Sequence, residues 1–562
     1  MIEPRERDWG RHANWSKIHP FEPRIPALLA HARAQWASRE LLVLDARRLT
    51  YGEMEAKSAV LARQLLAAGL GKGSRVGLML PNDETFIVSW MAITRIGAVA
   101  VTLSTLSTSA EILRIAKHAD LHLFIGPERY LHHDYVARIG DAFRGIGTQR
   151  APYRLPDAPY LRDVWLWTEA DAPAWATRID LTAEPAVDAD LLAAVEAEVA
   201  SSDPAGIIYT SGSTAEPKGV IHSHGNFMRQ AGKLAATYDY YNDERAFASM
   251  PFFWVGGITV TVLCIMELGG TILASSNTGS QLLDFLESER TTSVLSWPHI
   301  VRALAADPTF AKRDWSRMRS GHLYEAFPPE RKLKDPTLLG MALGMTETNG
   351  PYSIQQQQVP EDQRGSMGPL MPGIQGRLVE PETGRVIAEW VGGDPDADSG
   401  GQVGVMQVRT DTMLLGMVKR ERADVFTPDG FYSTGDLCSF RGGHLHFHGR
   451  ADDMIKASGA NVSPREVEAV LLKIEGVASA NVSGVPDRAR GNVVGAIIVP
   501  KPGATLDAEA IRREAARSLS SYKVPRVIVV MDASKVPVMS SSKVDRRALI
   551  KLLHDAYEAG SA

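Results

Sequence analysis

Two cysteines in 562 residues, Cys264 and Cys438, are too few for a disulfide framework or a zinc site made of thiolates alone. They fit a reducing compartment. The chain also lacks an excess of positive charge: 61 Lys and Arg stand against 66 Asp and Glu, for a net charge of −5. That balance argues against nucleic acid or an anionic membrane as the main partner. Long apolar runs are missing too. The most apolar stretch, VGGITVTVLCIMELGG at 255–270, is short and broken by glycine and acid, so it reads as core and no membrane span is expected. The opening residues, MIEPRERDWGRH, are charged and lack an apolar centre, so no signal peptide is expected and the expected location is cytoplasmic. Internal repeats and long low-complexity runs are absent; QQQQ at 355–358 is short and reads as surface. What remains, 44% hydrophobic and 23% charged residues, is ordinary globular composition. The length is too great for one core and implies at least two domains.

From Glu40 onward, strand and helix patterns alternate. Strands are predicted at 40–45, 75–80, 98–103 and 122–126, and helices at 51–70 and 84–97. The pattern indicates an α/β fold with mostly buried strands. Residues 127–200 carry prolines and acids and read as irregular surface with a helix near 188–200. A strand at 203–210 then runs into a polar loop. Composition changes near 449, and a compact α/β unit follows. In REVEAVLLKI, Val467, Val470, Leu471 and Ile474 share one helix face. A boundary at 449–453 divides the chain into 1–449 and 450–562.

The polar loop, YTSGSTAEPKGV at 209–220, holds Thr210, Ser211, Gly212, Ser213, Thr214 and Lys218. Hydroxyls, backbone N–H groups and a lysine suit phosphate oxygens. It is not a Walker loop: counted from Gly212, Pro217 stands at the second glycine and Gly219 at the Ser/Thr position. Taken alone, the loop reads equally well as a solvated Ser/Thr turn.

Other motifs follow in a set order: PFFWVGG (251–257), GMTET (344–348), YSTGD (432–436), GRADDMIKASGANVSPREVE (449–468), SYKVP (521–525) and SSSKVDRRAL (540–549). Together with the loop they resemble the adenylate-forming superfamily, which includes acyl-CoA synthetases, adenylation domains and luciferases. The resemblance spans roughly residues 40–550. It implies an acyl-CoA synthetase-like fold, with a large multi-subdomain N-terminal α/β domain and a small mobile C-terminal α/β domain. It also implies a two-step reaction on a small-molecule carboxylic acid, using ATP, Mg²⁺ and coenzyme A. In the first step the acid attacks the α-phosphate of ATP to give acyl-adenylate and pyrophosphate; in the second a thiol displaces AMP.

By the same resemblance Thr210, Ser211, Gly212, Ser213, Thr214 and Lys218 hold the β- and γ-phosphates. Thr346 bonds the α-phosphate and Glu347 holds Mg²⁺, a hard cation suited to one carboxylate plus phosphate oxygens. Asp436 receives the ribose hydroxyls, with Arg450 nearby. Lys543 bridges the acid and the α-phosphate. Lys456 serves the thioester step, Asp452 is the hinge, and Gly459 lines the pantetheine channel. Trp254, Gly256 and Gly344 belong to the acyl pocket. Rotation at Asp452 would exchange the Lys543 face for the Gly459 face.

Several positions depart from the family pattern. Ala215 stands where glycine is usual, Leu343 where an aromatic stacks on adenine, and Met539 and Ser542 replace threonine and glycine. Trp254 replaces a frequent histidine, and core packing is its simpler alternative role. The acyl segment has no aspartate for an α-ammonium group, which favours an uncharged chain or ring. His444, His446 and His448 alternate along one strand at a spacing that zinc can use, but the family has an ordinary strand there. The expected activity is an AMP-forming acyl-CoA ligase acting on a fatty or aromatic acid, as monomer or homodimer. The alternatives are transfer to a carrier protein or another nucleophile, and a non-catalytic ligand binder.

Overall fold

The computed structural model describes residues 21–210, 217–296, 298–355, 359–451, 455–457, 460–462, 464–487, 491–519, 523–539 and 544–560. The chain divides into two compact units. The first comprises 1–374, 391–393 and 409–430; the second comprises 375–390, 394–408 and 431–562.

The first unit contains an eight-stranded sheet. Its strands include β1 (Arg75–Leu78), β2 (Val99–Thr102), β3 (Leu123–Pro127), β4 (Asp163–Trp167), β5 (Pro204–Thr210) and β6 (Lys218–Ser223). The spatial order is Gly416–Met417, β6, β5, β2, β1, β3, β4, Thr177–Arg178. Neighbours from β5 through β4 run parallel, whereas β6 is antiparallel to β5. Val99–Thr102 and Leu123–Pro127 are buried along their whole length, which is why these runs are apolar throughout instead of alternating. Val101, Phe124, Val164 and Ile207 meet in one core cluster.

The helices start where local chemistry directs. Thr50 and Glu53 form a capping box at α1 (Tyr51–Ala67), and Gly69 takes φ 78° just past its end. Asp83 caps α2 (Glu84–Arg95) through the Thr85 N–H. A second sheet of six strands places Glu40–Leu44 between Thr271–Ala274 and Arg47–Thr50.

Residues 127–200 differ from the sequence expectation. Besides the helix Ala189–Ala197, they contain a helix at Tyr135–Ala142 and the strand β4. The β4 run, DVWLW, is only five residues long. Its strand character comes from the parallel ladder with β3, a partner forty residues away. The apolar stretch at 255–270 is helical from Val255 to Met266. Its middle, Ile258–Leu263, is wound as a π-helix and is largely buried. Among the described residues no helix is long and apolar enough to cross a membrane.

In the second unit, one five-stranded sheet includes Gln375–Val379, Gly404–Arg409, Tyr432–Arg441 and His444–Arg450. Another carries Ile455–Ala457, Val477–Asp487, Gly491–Pro500 and Val527–Val530. The helix Pro464–Leu471 buries Val467 and Leu471 against Val482, Val494 and Ile498, with Val470 and Ile474 partly covered at the edge.

Candidate active site

The polar loop joins two antiparallel strands. Thr210 at the end of β5 and Lys218 at the start of β6 are directly opposite partners. A Walker loop instead opens a helix, whereas this loop connects two antiparallel strands with Thr210 and Lys218 at its ends. Ser211, Gly212, Ser213, Thr214 and Ala215 lie outside the described residues. Gly219 has a packing role. A Cβ there would stand 2.9 Å from Val418, 3.0 Å from the Tyr209 ring and 3.1 Å from Ile207. Tyr209 is fixed in turn by a 2.7 Å bond between its hydroxyl and His118 Nδ1.

GMTET forms the turn of a second hairpin, β7 (Ala342–Met345) with β8 (Gly350–Ile354). The turn is tightly held. Asn349 adopts φ 58°, a left-handed conformation that asparagine tolerates, and its N–H donates to the Thr346 carbonyl at 3.0 Å. Thr348 Oγ1 donates to the Gly350 carbonyl at 2.7 Å. Gly344 faces Pro351 across the ladder, and a Cβ on it would meet the Gly350 oxygen and Pro351 Cα at 2.5 Å. Glycine is therefore required here by the closeness of the opposite backbone.

The same turn is fastened to β6, the strand that follows the polar loop. His222 on β6 donates Nε2–H to the Thr346 carbonyl at 2.8 Å. The Leu414 N–H donates to the Glu347 carbonyl at 2.9 Å, and the next N–H, of Leu415, donates to Ile221 on β6. The helix α3 (His224–Thr237) adds a further hold: Gln230 Nε2 donates to the Pro351 carbonyl at 2.8 Å. From the π-helix, Thr259 donates its hydroxyl to Asn349 Oδ1 at 2.8 Å. Thr346 is half-buried and Glu347 buried. His222 is fully buried, and burial pushes its pKa down to about 4; His224, also buried, is pushed down to about 4 for the same reason. Both imidazoles are therefore neutral near pH 7. Sequence reasoning named Thr346, Glu347, Thr210 and Lys218 but missed His222, Gln230, Thr259 and Asn349. The available signal for His222 was its position four residues past Lys218, on the same face of one strand.

The segment 250–253 is pinned by Asn82 and by β2. Asn82 bonds the Met250 carbonyl and the Phe252 N–H, both at 2.8 Å, and Thr102 on β2 donates to the Phe253 carbonyl. Trp254 is half-buried at the start of the helical stretch and stands edge-on to Phe253 at 5.3 Å. At Gly256 a Cβ would meet nothing nearer than Met250 at 3.7 Å. A separate cavity of about 790 Å³, lined by residues including Arg302, Phe310, Tyr324 and Phe327, contains none of the residues predicted for the site.

In the second unit, Asp436 on β9 (Tyr432–Arg441) faces Arg450 on β10 (His444–Arg450). Arg450 Nη1 donates to Asp436 Oδ1 at 3.0 Å. Gly435, at φ 74°, lets the guanidinium pass, since a Cβ there would stand 2.9 Å from Arg450 Nη2. Lys456 lies on the strand Ile455–Ala457, and its side chain is outside the described parts. Asp452, Gly459 and Lys543 also fall outside the described residues. His448 bonds Ser439 Oγ at 2.8 Å. Among the described residues no group of three or more His, Cys, Asp or Glu is arranged to hold a metal. Glu347 offers a single hard carboxylate beside a threonine hydroxyl, a donor set that suits Mg²⁺ shared with phosphate oxygens.

Residues 29–416 match the AMP-binding enzyme family, and 466–543 match the AMP-binding enzyme C-terminal domain. The chain is 29% identical over 549 residues to the sulfoacetate–CoA ligase of Cupriavidus necator, covering 95% of this chain and 98% of that protein. It is 28% identical over 541 residues to a Mycobacterium tuberculosis CoA ligase named for a methyl-dioxo-octahydroindenyl propanoyl substrate, covering 94% and 98%. Its fold is similar to the crystal structure of the anthranilate CoA ligase AuaEII in complex with anthranoyl-AMP. The TM-score is 0.76 at 21% identity, covering 97% of this chain and 99% of that one.

Proposed function

We propose, from the premise that this chain belongs to the AMP-binding enzyme family of adenylate-forming acid–thiol ligases, that it activates a hydrophobic carboxylic acid, fatty or aromatic. The acid is joined to AMP with loss of pyrophosphate, and coenzyme A then takes the acyl group. The observation that carries this reading is the fastening of the Thr346–Glu347 turn to β6, the strand that leaves the phosphate loop. Adenylation brings two anions together, so it needs donors and positive charge fixed in advance. Thr210 and Lys218 flank the polar loop that this reading assigns to the phosphates, and Thr346 and Glu347 are held beside the strand that follows it. When bound, Mg²⁺ would be held by Glu347 and would neutralise phosphate charge.

Asp436 takes the ribose diol in this reading, with Arg450 holding its carboxylate in place. Lys543 neutralises the approaching carboxylate, and Lys456 serves the thioester step. The domain 450–562 swings about Asp452 between the two half-reactions, which brings Gly459 to the pantetheine arm. Trp254, Gly256 and the absence of a charged side chain in 251–257 support an uncharged acyl group. The protein is proposed to work in the cytoplasm as a monomer or homodimer.

The test is a panel of fatty, aryl and polycyclic acids assayed for pyrophosphate release, with and without coenzyme A. Acid-dependent pyrophosphate release accompanied by CoA-accelerated AMP release is the expected result. AMP release no faster with CoA than without it overturns CoA as acceptor and points to a carrier protein or other nucleophile. No acid-dependent pyrophosphate release overturns the enzymatic reading for these acids.

A further inference from the structure

We infer that His222 is a positioning residue for adenylation: its neutral imidazole holds the Thr346 carbonyl and so sets where the Thr346 hydroxyl and the Glu347 carboxylate stand. The inference rests on the proposed reaction but adds a residue outside the motifs that identify it.

Three observations support it. First, the contact is specific. His222 Nε2 lies 2.8 Å from the Thr346 carbonyl, which accepts only, so the proton resides on Nε2. Second, the arrangement is costly for packing alone. The ring is fully buried, and its Nδ1 has no partner among the described residues. A leucine would fill such a space without leaving a buried acceptor unsatisfied. A polar ring at this point is accounted for by its donor. Third, the residues around it repeat the pattern. Gln230 Nε2 reaches the Pro351 carbonyl while its Oε1 is unpartnered, and Asn349 accepts from Thr259 while its Nδ2 is unpartnered, again among the described residues. Three buried polar side chains each spend one atom on fixing this hairpin and leave another unsatisfied.

The position of His222 gives the contact its consequence. Lys218, Val220 and His222 lie on one face of β6, four residues spanning the distance from the loop end to the GMTET turn. The imidazole thus ties the α-phosphate residue to the strand that carries the β,γ-phosphate loop. Thr346 O also accepts from the Asn349 N–H, so loss of the imidazole donor loosens the turn without unfolding it.

The experiment compares His222→Phe, which keeps a ring without a donor, with His222→Gln, which offers an amide N–H at similar reach. For each, kcat and KM for ATP in acid-dependent pyrophosphate release are measured beside the thermal midpoint. His222→Phe is expected to lower kcat about 10- to 100-fold, because misplacing a reacting group by about 1 Å costs that much, while KM for ATP changes less than about threefold. His222→Gln should recover kcat to within about fivefold of wild type. Equal impairment of both variants, or a loss that tracks the folded fraction alone, overturns the inference. Independently of turnover, ¹⁵N-histidine spectra of the wild-type protein, assigned by difference with His222→Gln, should show an Nε2-protonated neutral ring that does not titrate between pH 5 and 8. An Nδ1-protonated ring overturns the grip on Thr346. A wild-type protein whose His222 is Nε2-protonated but which releases no pyrophosphate refutes the reaction and leaves the grip standing.

Discussion

Replacing Gly344 by alanine puts a methyl carbon 2.5 Å from the Gly350 oxygen and Pro351 Cα, and 2.6 Å from Pro351 N. All three obstacles are backbone, so no rotamer change can relieve them. Ordinary contact begins near 3.4 Å, so the two strands must part by about 1 Å at the position where β7 and β8 pair. The hairpin cannot slide instead, because Gln230 holds Pro351 and Thr348 holds Gly350. The stability cost is that of overpacking, about 1–3 kcal/mol, seen as a few degrees in thermal midpoint. The larger effect falls on Thr346 and Glu347, two and three residues along. A displacement near 1 Å there costs about 100-fold in the rate of adenylation. The control is Gly147→Ala, whose methyl would meet nothing within 4 Å and should leave the midpoint unchanged and kcat within about twofold of wild type. The assay is pyrophosphate release under saturating ATP and acid, with thermal unfolding on the same samples. Full kcat with an unchanged midpoint for Gly344→Ala would refute the argument that the cross-strand approach positions the turn.

Acid should destabilise the first unit through the buried His222 and His224. Both have native pKa values lowered from 6.5 to about 4, so the unfolded chain binds more protons between those limits and stability falls as pH drops from 6.5 toward 4. The drop corresponds to about 3 kcal/mol for each imidazole. Denaturant midpoints that do not fall across this window, or fall equally in a His222→Gln variant, contradict it. Asp436→Ala should raise KM for ATP at least tenfold in steady-state kinetics, because the buried carboxylate that Arg450 holds is lost; an unchanged KM removes Asp436 from the nucleotide site.

Local chemistry alone specified much of this protein. The helices beginning at Tyr51 and Glu84, the continuous apolar runs of β1, β2 and β3, and the ordered motifs were legible because each depends on neighbours within a few residues. The family and its reaction followed from those motifs. What tertiary structure decided is different in kind. The strand β4 exists because β3 pairs with it, and nothing in DVWLW alone requires that. Gly219, read from the motif as part of a phosphate loop, is required because a Cβ there would stand about 3 Å from Val418 of a distant segment, and from Tyr209 and Ile207, and Gly344 because its partner strand passes 2.5 Å from where a Cβ would stand. His222 meets Thr346 across 124 residues of sequence, and Gln230 and Thr259 reach the same hairpin from a helix and a π-turn. A motif records which groups the chemistry needs. The atoms that hold those groups still are brought near by packing between remote segments, and that closeness leaves no periodic trace in the chain.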